Sequence, residues 1–160
     1  MKIKNCRSCN STSLKYLYSL GSQYLTGIFP STKSEKIPRG NLTIVICDKC
    51  KLVQLQDSFD VNIMYGDNYG YLSSLNQHMV KHLQAKSEKL KKISNLKKDD
   101  VVIDIGSNDG TLLSNYNKSF KLIGIDPTIK RLGKFYRKDI IKIPEFFSER
   151  VSKKYLAHDT

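Results

Sequence analysis

All four cysteines of this chain fall into two C-x-x-C pairs, "CRSC" (Cys6, Cys9) and "CDKC" (Cys47, Cys50), and no other feature restricts the possible folds as much. A C-x-x-C turn lets two thiolates reach one ion from a tight backbone loop. Two such turns supply the four-sulfur tetrahedron that zinc prefers. With every coordination position filled by protein, the metal has no open site for water, so its expected role is structural. The 37 residues between the pairs exceed a common ribbon spacing, so a hairpin or loop must be inserted there. Pro30, Pro38, Gly40 and the polar "STKSEK" fit that insertion. "LTIVIC" reads as a strand entering the second pair and "KLVQLQ" as the strand leaving it. Two other readings stand beside zinc. A redox dithiol would use one pair beside a βαβ unit and leave the other unexplained. Two disulfides would need an oxidising compartment. His78, His82 and His158 are not needed as ligands and are expected on the surface or as polar groups of a helix face.

The 160 residues suit one ordinary domain, or a small module joined to part of a larger one. Hydrophobic content of 39% and charged content of 26% are those of a globular chain. No apolar run approaches the roughly 18 residues that a membrane span needs. The start, "MKIKNCRSCN", has no stretch suited to a secretory signal, so a cytoplasmic, reducing setting is expected, without membrane partners. The net charge of +12 invites a nucleic-acid reading. The excess, however, is mostly lysine spread along the chain, which reads as a solvated surface, and nucleic acid is not the expected partner. An acidic ligand such as a nucleotide diphosphate would also suit this field.

Three segments follow from these patterns: a zinc-binding module over 1–60, a tyrosine-rich connector and helix over 61–98, and a nucleotide-binding half over 99–160. In the connector, Leu75, Met79, His82, Leu83, Ala85 and Leu90 space an amphipathic helix, with Ser73 or Ser74 as its N-cap and "NLKKDD" closing it. Tyr65, Tyr69 and Tyr71 either pack between modules or belong to a loop that folds over a ligand, with phenols as hydrogen-bond donors.

The last segment opens with "VVIDI", a β-branched run suited to a central parallel strand buried on both faces. Asp104, Gly106 and Gly110 then form D-x-G-x-x-x-G, followed by a helix pattern from Thr111 through Tyr116. A second strand, "KLIGID", ends at Asp126, 22 positions after Asp104. Strand, glycine loop, helix, strand and acid make the first half of a doubly wound, Rossmann-like parallel sheet. Gly106 admits a close backbone approach to a ligand, Gly110 lets the helix pack near the strand, and Asp126 can accept from two ribose hydroxyls. Asn108 crowds the place where a pyrophosphate would lie. An acid at each end of a loosened loop suits S-adenosylmethionine, which has no phosphate and carries a sulfonium and an ammonium. The bland alternative is an acid and two glycines at an ordinary βα turn. "IIKIPEFF" reads as a third strand and "SERVSKKYLAHD" as a helix.

Together the four cysteines, "YGYLSS" and "VIDIGSNDGTLL…IGIDP" resemble the nucleotide-sugar C-methyltransferases, over essentially the whole chain. The resemblance implies an α/β chain in which a zinc-binding module precedes a class I methyltransferase core. It also implies methyl transfer from S-adenosylmethionine to a carbon of a nucleotide-linked deoxysugar, usually beside a keto group. By position, Cys6, Cys9, Cys47 and Cys50 would hold zinc. Asp104, Gly106, Ser107, Asn108 and Gly110 would line the methionine side of the cofactor, and Asp126 would take its ribose. Tyr69 and Tyr71 match the tyrosine segment that approaches cofactor and substrate.

The family's histidine region, which supplies the catalytic base, and its sugar-binding domain have no counterpart in these residues. His158 lies too early in the pattern for that base. The expectation is an N-terminal part of a methyltransferase, inactive alone, with a second polypeptide as a candidate to complete the fold. Whether the chain is itself an enzyme stays open. The competing readings are a zinc-ribbon nucleic-acid module or a scaffolding partner carrying a degenerate Rossmann fragment.

Overall fold

β-Branched and aromatic residues concentrate where the backbone is extended, and they build two separate three-stranded sheets. The computed structural model describes residues 1–25, 30–66 and 69–156. The chain divides into two compact units, Met1–Gly70 and Tyr71–Thr160. The division falls inside the segment read from sequence as a connector. His158 lies outside the described residues.

In the first unit, β1 (Leu14–Tyr24), β2 (Arg39–Cys47) and β3 (Val53–Leu55) form an antiparallel sheet in that order. β1 and β2 are the hairpin that the long gap between cysteine pairs required; β2 contains "LTIVIC", and β3 is the middle of "KLVQLQ". Period-2 alternation aims Val45 and Cys47 inward, while Ile44 and Ile46 are half-buried. β3 inverts the usual pattern: Gln54 is buried between exposed Val53 and Leu55. Among the described residues, the buried hydrophobic ones of this unit are Cys6, Val45 and Cys47 alone. So small a core cannot hold a module of this size without a staple.

A short helix, α1 (Val61–Tyr65), belongs to the first unit, and in the second the long helix α2 (Gln77–Ser94) begins one residue after its cap. That cap is Asn76, whose side chain accepts from the His78 and Met79 amides. It is not Ser73 or Ser74, which lie in a preceding 3-10 turn, Ser73–Leu75. An Asx side chain at the first free position outcompetes the two serines. The helix ends at Asn95 in the left-handed conformation, within the predicted stop. His78 and His82 are exposed on it. Its inward face is weaker than the periodicity implied: Met79 and Leu83 are half-buried, Leu75 lies outside at 75% exposure, and the fully buried position is Ser87.

β4 (Val101–Ile105), β5 (Lys121–Ile125) and β6 (Ile141–Ile143) form a parallel sheet in the order β4-β5-β6. Asp104 pairs with Gly124, and Ile123 with Ile141. The strand expected to be central, "VVIDI", is an edge strand, and Ile103 and Ile105 are 41% and 55% exposed. Burial on both faces needs elements packed over both, and β5 is the strand with fully buried residues in a core on each side. Its alternate residues feed two cores. Leu122 joins Leu113, Tyr116, Ile129, Tyr136 and Ile140 on one face, while Ile123 and Ile125 join Ile143 and Val151 on the other.

The helix expected over Thr111–Tyr116 is reduced to a single 3-10 turn, Leu113–Asn115. The stretch is too short to repay helix nucleation, and tertiary burial of Leu113 and Tyr116 sets its conformation instead. A short helix, α3 (Ile129–Leu132), precedes β6. α4 (Glu149–Tyr155), capped by Ser148, covers the second core through Val151. Among the described residues, no helix is long and apolar enough to cross a membrane.

Candidate functional site

The two C-x-x-C turns converge. The four thiol sulfurs of Cys6, Cys9, Cys47 and Cys50 lie within 4.8 Å of one another. The closest contacts cross between motifs, Cys6 to Cys50 and Cys9 to Cys47, each at 3.6 Å. Four sulfurs held ~2.3 Å from one zinc are ~3.8 Å apart along a tetrahedron's edges, close to the two 3.6 Å contacts. No pair is joined as a disulfide.

The surroundings favour thiolate at Cys6 and Cys47, whereas at Cys50 the Leu52 N–H is outweighed by the neighbouring thiols and burial, which push it up to about 11. The Cys9 backbone N–H, against the cost of burial, lowers Cys6 to about 6, and the Cys50 N–H lowers Cys47 in the same way. Gln54 explains its own burial here: its side-chain amide donates to Cys6 Sγ at 3.2 Å, and its oxygen accepts from the Arg7 backbone N–H at 3.1 Å. Such outer partners fix ligand orientation. Neither Gln54 nor Arg7 was singled out in the sequence. A polar residue at an inward-facing strand position, next to a cysteine pair, was the available signal.

The glycine loop follows β4 at the carboxyl edge of the parallel sheet, where α/β folds bind ligands. Gly106, Asn108 and Gly110 have φ of +78°, +50° and +77°. A Cβ on Gly106 would meet nothing within 4 Å, so its need for glycine is conformational, and the space above it is open. A Cβ on Gly110 would lie 2.8 Å from the Tyr136 ring, so this glycine makes room for a tyrosine, not for the helix–strand packing read from sequence.

Asp126 sits against this loop. Its carboxylate accepts from the Asn108 backbone N–H at 2.9 Å and from Thr128 N and Oγ1 at 2.7 and 2.5 Å. These three donors occupy most of its acceptor capacity. Asp104 is half-buried on the neighbouring strand. Burial first, and then the charge of Asp126, push it up to about 6. The structure thus gathers Asp104, Gly106, Ser107, Asn108, Gly110 and Asp126 at one turn, with two carboxylates close enough to repel. A cavity of about 240 Å³ runs along β4 from Asp104 back to Val101. Its apolar lining reaches the amino end of the strand, so the open side of the loop is the better ligand position.

The side chains of Asn108 and Asp109 point elsewhere. Asn108 Oδ1 accepts from Ser73 N at 3.0 Å, and its Nδ2 donates to the Tyr71 carbonyl at 3.1 Å. Asp109 accepts from Ser74 N at 2.8 Å and from Thr111 Oγ1 at 2.6 Å. Burial opposes ionisation of Asp109, but the Thr111 hydroxyl and the Ser74 N–H hold it below the usual carboxylate range. The "YLSS" segment is therefore laced onto the glycine loop through its backbone, and Tyr71 is brought to the loop. Tyr69 belongs to the first unit, where its ring lies 5.4 Å from that of Tyr65. Asp109 was missed in the sequence, although D-x-T is an Asx-turn signal.

In chain order, a four-thiol cluster suited to zinc precedes a parallel α/β sheet with an acid–glycine turn. Residues 6–65 match the family model described as "Putative zinc binding domain". The chain is also 24% identical, over 155 residues, to C-methyltransferase NovU of Streptomyces niveus. That similarity covers 93% of this chain and 36% of the relative, so the chain spans about a third of the length of the protein it matches. The chain is thus similar in sequence to a C-methyltransferase along most of its own length.

Proposed function

We propose that this chain supplies the zinc-binding module and the cofactor-binding half of an S-adenosylmethionine-dependent C-methyltransferase acting on a nucleotide-linked deoxysugar. The observation that carries the reading is the pair of carboxylates, Asp104 and Asp126, at an open glycine turn. Concentrated negative charge there suits a sulfonium and an ammonium and repels phosphate. S-Adenosylmethionine supplies an electrophilic methyl group when bound. The residues present would hold it: the backbone at Gly106 would admit close approach, Asp104 would offset its positive charge, and Asp126 would take a ribose hydroxyl. Tyr71, laced to the loop through its carbonyl, and Tyr69 of the same tyrosine segment are the phenols proposed to approach cofactor and substrate. The zinc is structural, since four protein sulfurs leave it no open position, and thiolate ligands suit a cytoplasmic, reducing setting.

Proton abstraction beside a keto group needs a base within hydrogen-bond reach of the substrate carbon. His78 and His82, exposed on α2, are not assigned that role. Residues 1–160 alone are accordingly expected to bind cofactor without methylating sugar. Calorimetric titration checks this: saturable binding of S-adenosylmethionine and none of NAD supports it, and the reverse preference refutes it. Methylation of a keto-deoxysugar nucleotide by the purified chain would overturn the expected inactivity.

A second reading draws on the hairpin of the first unit. Tyr16, Tyr18 and Tyr24 are exposed there, with the Arg39 guanidinium 4.7 Å from the Tyr24 ring. Aromatic and basic groups on one hairpin can stack nucleic-acid bases. A mobility shift of single-stranded nucleic acid that weakens steeply with salt would favour it.

A further inference from the structure

Tyr136 lies outside every motif that the sequence singles out, yet it meets the glycine loop with both ring and hydroxyl. It follows the 3-10 turn Gly133–Phe135 and is 6% exposed. Its hydroxyl lies 2.7 Å from Ser107 Oγ and 3.0 Å from the Asn108 carbonyl oxygen. A carbonyl only accepts, so the single phenolic proton is committed to Asn108, and the Ser107 hydroxyl donates to the phenol oxygen. The chain of donors therefore runs one way, from Ser107 through Tyr136 to Asn108. Ser107 and Asn108 are 4% and 8% exposed, so neither has water to replace a lost partner.

The ring closes the underside of the loop. A Cβ on Gly110 would lie 2.8 Å from Tyr136 Cδ1, and one on Gly124 would lie 2.9 Å from Tyr136 Cε1. Both positions lack a side chain where the ring needs the volume. Three positive-φ residues, Gly106, Asn108 and Gly110, crowd into this turn. Such a backbone persists only where its surroundings over-determine it.

We propose that Tyr136 is the positioning residue of the glycine loop, tying the Ser107 side chain to the Asn108 backbone and so fixing the edge presented to the cofactor. It touches no ligand itself. What the loop holds rests on the cofactor reading above; the tie stands on geometry alone.

Tyr136→Phe removes one oxygen and keeps the ring against Gly110 and Gly124. In the zinc-loaded chain, amide hydrogen exchange at residues 107–110 should accelerate about tenfold, as expected for stranding two buried polar groups, while β5 amides change less than about twofold. The dissociation constant for S-adenosylmethionine should rise about five- to tenfold. Ser107→Ala should weaken binding less, and the double variant no more than Tyr136→Phe alone, because both remove the same tie. Unchanged exchange at 107–110, or equal acceleration in β5, would overturn the proposal. So would faster loop exchange with unaltered cofactor affinity. A wild-type chain that binds no S-adenosylmethionine would sink the cofactor reading, and loop exchange would still decide whether Tyr136 holds the loop.

Discussion

Asp104 is half-buried beside the Asp126 carboxylate, and burial and charge together lift it from 3.8 to about 6. A carboxyl whose folded pKa is raised binds its proton more tightly when folded. Its contribution to stability is therefore present at low pH, lost as pH rises from about 4 to about 6, and flat above that. Asp104→Asn should remove this dependence and stabilise the chain at pH 7 by about 1–2 kcal/mol, read from urea midpoints across that range. A cationic ligand favours the ionised form. Affinity for S-adenosylmethionine should thus increase between pH 5 and 7 in the wild type and stay level in Asp104→Asn, by calorimetry. The two loop glycines should also separate. At Gly106 a side chain meets open space and only φ of +78° resists it, so Gly106→Ala should cost about 1 kcal/mol. At Gly110 the positive φ is joined by a clash with Tyr136, so Gly110→Ala should cost about 2–4 kcal/mol. Equal losses in urea unfolding would contradict the packing described for Tyr136.

β2 and β3 carry the second cysteine turn between them, and the antiparallel sheet has little else to bury. One zinc per chain is expected by atomic absorption. Cys47→Ser should abolish that stoichiometry and the slow amide exchange of β2, because Cys47 is fully buried at the strand's end. Retained metal with retained protection would show that three thiols suffice. Elements whose evidence is local were legible in the sequence: both cysteine turns, the strands around them, β5, β6, the body of α2 and α4 beginning at Ser148. Elements decided by neighbours were not. "VVIDI" has the composition of a central strand, yet strand order, not composition, decides how much of it is covered. Thr111–Tyr116 has helical spacing but lies in so short a crossover that packing of Leu113 and Tyr116 overrides it. The N-cap moved to Asn76 because three residues with capping side chains compete there, and spacing alone does not rank them.

In the molecule as a whole, a sparse metal-stapled unit precedes a denser α/β unit, and each was visible for a different reason. The cysteines announce the first directly. In the second, Asp104, the glycines and Asp126 stand at the spacing of a βαβ turn. Tyr136, which packs beneath that turn, comes from a later crossover with no motif of its own, so nothing local marks it. A net charge of +12 also conceals the acidic character of the loop, since the lysines are spread over the surface while the two carboxylates sit together at the site. S-Adenosylmethionine is proposed to bind at this turn, and residue-resolved amide shifts of the zinc-loaded, isotope-labelled chain, followed through a titration with that cofactor, report on it residue by residue. Saturable shifts are expected at Gly106, Ser107, Asn108, Gly110 and Asp126, with the cysteine turns unmoved. A folded chain whose loop amides stay in place at saturating cofactor, or shift no more than the rest of the surface, would contradict it.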